Sequence, residues 1–253
     1  MLTWKGGIII PVYSNKDYIN IIRPLPAYIE RDFLDIPYIQ PENINISFIN
    51  NGLWLINLKN ISKNDKHPQN KIIHSFCFDR DFKRFYNAPN KHLSTVSKYL
   101  AFCTFDFSMD KKMDCFNILN AVYRNRWIGA YFQSFGIRVI PTVGWVTSET
   151  YDICFSGLKD GGVFIISTLG ANNTISYTDF IEGYKEMRKR FPNTQIICVG
   201  DRLKGMEDDI CYVAYEDTFG NNDKYRDFYQ PKLFNWDNTI TEGDVYLCHQ
   251  EEQ

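Results

Sequence analysis

Three consecutive segments decide the fold: "GGVFIISTLG" at residues 161–170, "YTDFIEGYKEMRKRF" at 177–191 and "TQIICVGD" at 194–201. The outer two are apolar, β-branched runs of strand length bounded by glycine and polar residues. The middle one is amphipathic and ends in Arg188-Lys189-Arg190, where cations complement a helix C-terminus. Strand, helix, strand is the repeating unit of a parallel sheet.

The same alternation extends upstream and downstream. "IIHSFCFD" (72–79) precedes the helical "RDFKRFYN", and "YLAFCTFDFS" (99–108) precedes a long helix from about Met113 to Phe135. "IRVIPTVGW" (137–145) precedes "SETYDICFSGL", and "DICYVAYED" (209–217) follows the last glycine turn. Six such runs predict an α/β fold with a mainly parallel sheet of repeated βα units, either an open sheet or an incomplete barrel.

Residues 1–71 read as a β-rich N-terminal attachment, 72–220 as the α/β core and 221–253 as a tail packing on the core. Within the attachment, "INISFINNGLWLINLKN" (44–60) predicts a hairpin turning at Asn50-Asn51-Gly52. "KNISKNDKHPQNK" (59–71) is polar, lacks periodicity and reads as a linker.

Composition narrows the function classes. A formal charge of −2 over 253 residues argues against nucleic-acid binding by bulk electrostatics and leaves only a local groove. Seven scattered cysteines without a CxxC pair suggest neither a zinc site nor a dithiol, and fit a reducing cytoplasm. The N-terminus lacks signal-peptide order and no apolar stretch has spanning length, so no membrane is expected.

Each apolar run turns polar at its C-terminal end: Asp79, then Asp106 and Ser108, then Thr142 and Trp145, then Ser167 and Thr168. That edge is where open α/β sheets and barrels bind ligands. Asp79 and Asp106 are the candidate catalytic pair and the candidate ligands for Mg²⁺ or Mn²⁺, which favour oxygen donors. The alternative for them is a helix cap and an ion pair with Arg84.

On the long helix, 100° spacing places Arg126 and Gln133 within the sector of Leu119, Val122 and Trp127. A guanidinium there needs a partner, either an internal carbonyl clamp or ion pair, or a bound anion. Pro141 cannot donate to a ladder and marks an irregularity that turns Thr142 and Trp145 toward the edge. Trp145 would then stack on a base or sugar, or else form a plain lid over the core, with Ser108, Arg126, Gln133, Thr142, Ser167 and Thr168 holding the anion. The four histidines form no ligand spacing, and His74 reads as a satisfied core histidine.

"HSFCFDRDFKR", "TFDFS", "YRNRW", "FQSFGIRVIPTVGW" and "STLG" together resemble an uncharacterised domain family of bacteria and their phages. The resemblance covers about residues 72–185. Phe78 stands where many members carry a second acidic residue, and Thr104-Phe105 precedes Asp106 where a proline is usual. It implies a phage or mobile-element context without a reaction. From the polar strand ends, the expected function is a phage or mobile-element enzyme acting on a nucleotide or nucleic acid, with a metal-dependent hydrolase as its concrete form. The alternative is a non-catalytic protein that binds a protein partner or sequesters a small ligand.

Overall fold

The computed structural model describes residues 23, 25–171 and 176–218, together with the backbone of 2–5, 8–11, 174 and 175. The expected tail, 221–253, lies outside the described residues. Strands β1 (Leu2–Lys5) and β2 (Ile8–Pro11) form an antiparallel hairpin.

Seven parallel strands follow: β3 (Trp54–Asn57), β4 (Lys71–His74), β5 (Ala101–Cys103), β6 (Val139–Ile140), β7 (Val163–Ser167), β8 (Gln195–Val199) and β9 (Cys211–Val213). They pair in chain order as two ladders, β3-β4-β5-β6 and β7-β8-β9. A bridge between Thr142 and Ile165 joins the ladders. The helices are α1 (Asp79–Asn87), α2 (Leu93–Val96), α3 (Cys115–Gln133), α4 (Tyr151–Cys154) and α5 (Thr174–Arg190). All six apolar runs form strands, and the fold is α/β as expected.

Alternation along the strands sorts the core into an inner and an outer set. Leu55, Ile72, Cys103, Ile140, Ile165, Val199 and Val213, one from each parallel strand, pack into a single inner cluster. Their neighbours point outward: Ile73, Phe102 and Val139 pack against Phe82 of α1 and Trp127 of α3. Phe164, Ile166 and Cys198 pack against Tyr184 and Met187 of α5. Each fully buried side chain of this size stabilises the fold by about 1.5–3 kcal/mol. The sheet thus curls around its inner cluster, yet no ladder joins β9 to β3 among the described residues. A 3-10 turn at Tyr215–Thr218 stands beside β3 instead, so no closed barrel forms.

Two expectations for residues 44–71 change. The hairpin at Asn50-Asn51-Gly52 is not formed: Ile46–Phe48 is a 3-10 turn, and β3 pairs with β4, in parallel. Asn45 accepts the Ser47 N–H at 3.1 Å, and this local capping competes with strand pairing. The polar segment 59–71 is the β3–β4 connection. It is organised by Asp65, which pairs with Lys71 Nζ at 2.7 Å and accepts from the Tyr99 hydroxyl at 3.1 Å.

β6 is only two residues long because Pro141 follows it. Its carbonyl accepts from Ile165 N at 3.1 Å and Val143 N donates to Ile165 O at 2.9 Å, so the chain leaves β5 and crosses to β7 here. Trp145 then rests on α5, donating Nε1–H to Phe180 O at 3.1 Å. A Cβ at Gly183 would stand 2.1 Å from Trp145 Cδ1. Gly183→Ala should therefore destabilise by about 1–3 kcal/mol despite alanine's better helix propensity. Differential scanning calorimetry should record a Tm lower by roughly 3–10 °C. An unchanged or higher Tm would mean that Trp145 is not wedged against α5.

Candidate functional site

The C-terminal ends of the strands gather the expected polar residues at one edge, and three of them come together. Asp79 opens α1, where the helix N-terminus favours an anion. Its Oδ1 accepts from the Ser108 hydroxyl at 2.8 Å and from Ser108 N–H at 3.3 Å. Asp106 lies two residues before Ser108, and its backbone N–H donates to Ser75 Oγ at 3.0 Å. Ser75 Oγ donates in turn to Thr104 O at 3.0 Å, so the ends of β4 and β5 are tied together.

The Asp106 side chain is half-buried and makes no hydrogen bond or ion pair among the described residues. Burial, and then the nearby Asp79 carboxylate, push its pKa up to about 7. A cavity of about 10 Å³, room for one water, adjoins it and is also lined by Asn125, Arg126 and Thr142. The neighbouring Cys77 thiol is raised to about 12, first by burial and then by Asp81. It stays protonated and is no nucleophile. Among the described residues no group of three or more His, Cys, Asp or Glu side chains is placed to hold a metal.

The other expected ligand contacts turn inward. Arg126 is buried and clamps carbonyls: Nε–H donates to Ser156 O and Nη2–H to Cys154 O, both at 2.9 Å. Nη1–H donates to Asn125 Oδ1 and, at 3.3 Å, to Thr142 O. Thr142 is buried, with its hydroxyl on Thr104 O and its N–H on Thr104 Oγ1 at 2.7 Å. Gln133 is at the wrong end of the molecule. α3 runs back about 27 Å from the candidate edge, and Gln133 exchanges two hydrogen bonds with the Gln40 backbone.

Trp145 is engaged by α5, with its ring 5.0 Å from that of Phe180 and its Nε1–H on Phe180 O. Ser167 and Thr168 donate their hydroxyls to Val199 O at 3.0 Å and Asp201 O at 2.8 Å. They fasten the end of β7 to β8. Arg84 does not pair with either carboxylate; its guanidinium stands 5.1 Å from the Phe85 ring.

Two residues carry more than the sequence suggested. Asn125 joins three elements, donating Nδ2–H to Phe105 O at 2.8 Å and to Thr142 O at 3.0 Å. An amide inside a helix whose flanks are apolar was the available sign. His74 is completely buried: Nδ1 accepts Phe76 N–H at 3.3 Å, and Nε2 has no hydrogen-bond partner among the described residues. Burial draws its pKa down to about 3, so the ring is neutral.

A parallel α/β scaffold with a carboxylate pair at the C-terminal edge is the class that fold and site define. The chain belongs to the family described as Domain of unknown function (DUF4417), which matches residues 29–216. "Gene 1 protein" of Mycobacterium phage D29 is 34% identical over 137 residues, covering 54% of this chain and 50% of that protein. "Gene 1 protein" of Mycobacterium phage L5 is 35% identical over 137 residues, covering 54% of this chain and 59% of that protein. The matched region thus spans only about half of each curated relative. No solved structure matches. No helix among the described residues is long and apolar enough to cross a membrane.

Two outcomes follow from this geometry. Arg126→Met leaves the carbonyls of Cys154, Ser156 and Thr142 without their donor and should cost about 3 kcal/mol or more in urea unfolding. Equal stability would show that the clamp is dispensable. Asp106 has a folded pKa of about 7 against an ordinary 3.8, so the stability it contributes is present below pH 3.8 and lost as pH rises through 7. Wild type should therefore lose stability relative to Asp106→Asn between about pH 4 and 8. Parallel pH profiles of the two proteins would disprove the shift. Subtracting the two removes the opposing contribution of His74, which both share.

Proposed function

We propose that the chain is an enzyme whose chemistry takes place at the Asp79–Asp106 pair, with Asp106 moving a proton and Asp79 fixed beside it. The observation that carries this reading is the open Asp106 carboxyl: half-buried, unpartnered among the described residues, and adjacent to a carboxylate held by Ser108. Carboxyls in unlike settings suit general acid–base work near neutral pH.

The substrate class we favour is a phosphoester in a nucleotide or nucleic acid, in keeping with the phage origin of the matched relatives. With Arg126, Ser167 and Thr168 engaged by protein carbonyls, a phosphate at this edge needs added positive charge. Mg²⁺ or Mn²⁺ would supply it, since such ions keep several waters and need only one or two protein carboxylates. Asp79 can supply that carboxylate and leave Asp106 to move the proton, so a larger ligand cluster is not required.

A second reading is favoured by a separate observation. Phe78 (63% exposed), Phe116 (78%), Met113 (37%) and Leu169 (46%) sit on loops and a helix start at the same edge. A non-catalytic protein that docks a partner would use such side chains.

Hydrolysis of nucleotides and short oligonucleotides, assayed with Mg²⁺, with Mn²⁺ and with chelator, separates the two. Asp106→Asn should lower turnover by roughly 10²–10⁴-fold while its Tm at pH 8 stays level or rises. Undiminished turnover in the variant, or no turnover and no ligand-dependent thermal shift in wild type under any condition, would sink the enzyme reading. A ligand at a hundred times its Kd should add about 2.7 kcal/mol, enough to register in that shift.

A further inference from the structure

A cavity of about 340 Å³ opens at the end of the sheet opposite the carboxylate pair. It forms where the strands begin. The segment before β3, the 3-10 turn Pro68–Asn70 before β4, Leu100 before β5 and Arg138 before β6 all contribute to it. A volume of this order is that of a small-molecule site, and the chemistry proposed for Asp79 and Asp106 makes no use of it.

Charge is the first selector. Among the described residues no Asp or Glu lines the cavity, and its one cation is already engaged. Arg138 Nε–H donates to Glu42 Oε2 at 3.4 Å and Nη2–H to Asn43 O at 2.5 Å. A phosphate or carboxylate would have to compete with Glu42, so the cavity suits a neutral molecule.

Polar recognition falls to carboxamides. Asn51, Gln69 and Asn70 line the cavity, and their side chains make no hydrogen bond among the described residues. Asn45 spends its Oδ1 on the N–H and hydroxyl of Ser47, which leaves its Nδ2 protons to donate elsewhere. Each such amide can both donate and accept. Apolar contact is also on offer: Ile44 and Leu53 are buried members of the inner cluster, and Phe48 is 53% exposed.

A polyhydroxylated ring meets all three conditions. Its hydroxyls donate and accept as the amides do, its C–H face suits Phe48 and the apolar floor, and it carries no charge. An extended peptide fits less well, because it recruits a strand edge for main-chain pairing and this cavity meets strand ends. We propose that the cavity at the start of β3–β6 binds a neutral sugar ring, either free or at the end of a glycan. The site stands apart from the Asp79–Asp106 edge and goes beyond the function proposed there.

Glucose, galactose, mannose and N-acetylglucosamine, each also as its methyl glycoside, are titrated into the full ¹⁵N-labelled chain. The side-chain amide resonances of Asn51, Gln69 and Asn70 are followed by NMR. At least one sugar should shift them with saturation, at a Kd of about 10 mM or below. The glycosides separate the two sources: a site for a glycan end tolerates the added methyl group, whereas a site for a free sugar loses affinity with it. Phe48 and Gln69 are exposed, so their variants should fold. Phe48→Ala and Gln69→Ala should each weaken binding about fivefold or more, and Phe48→Tyr should stay within about threefold of wild type.

No movement of these resonances with any sugar up to about 100 mM would overturn the proposal, as would unchanged affinity in both alanine variants. Inorganic phosphate, titrated in the same way, should leave the resonances in place. Saturable shifts with phosphate and none with sugars would make the cavity an anion site and sink the proposal. Should one variant fail to fold, the other and the wild-type titration decide.

Discussion

The rest of the structure depends on how the chain crosses from β5 to β7 through the two-residue β6. Pro141 has no N–H to continue a ladder, so β6 stops and the backbone around Thr142 must be satisfied otherwise. Side chains from α3 and from Thr104, just past β5, do this. Asn125 donates to Phe105 O and Thr142 O, Thr104 Oγ1 accepts Thr142 N–H, and Arg126 holds the carbonyls of Cys154 and Ser156. A charged group with this many fixed acceptors can be buried, where an isolated one would not be. The two ladders become one curled sheet only because this junction holds.

The junction also shapes the candidate site. By absorbing Arg126, Thr142 and Asn125 into the scaffold, it leaves the C-terminal edge acidic, with Asp106 open beside Asp79. An ionised carboxylate there is unfavourable for the fold, and burial with a like charge nearby raises its proton affinity. A group that weakens the fold at neutral pH and has no structural partner is the kind of residue that function retains. His74, on the inner face, is likewise buried with no hydrogen-bond partner for Nε2 among the described residues.

Much of the architecture was legible because it follows from periodicity. The runs at 72–79, 99–108, 137–145, 161–170, 194–201 and 209–217 each became a parallel strand, since fully buried strands leave continuous apolar runs. Asp79 with Ser108 was legible as a site fragment because both close apolar runs on neighbouring strands. The hairpin at Asn50-Asn51-Gly52 misled because turn residues report a reversal and not the partner of the strand that follows. Asn45 capping turned the preceding segment into a 3-10 turn, and β3 found a parallel partner.

The identity of residues was equally informative and equally limited. Arg126 was legible as a buried cation in need of partners, but not as a clamp on carbonyls that lie about thirty residues away in the chain. Gln133 shared its helical sector, and only the direction of α3 relative to the sheet removed it from the site. By itself, then, the sequence determined the parallel α/β class, the order of strands and helices and the polar edge, because period and turn chemistry are local. Tertiary structure decided which donors at that edge stay open, because a hydrogen bond satisfied across distant elements is invisible to any local pattern.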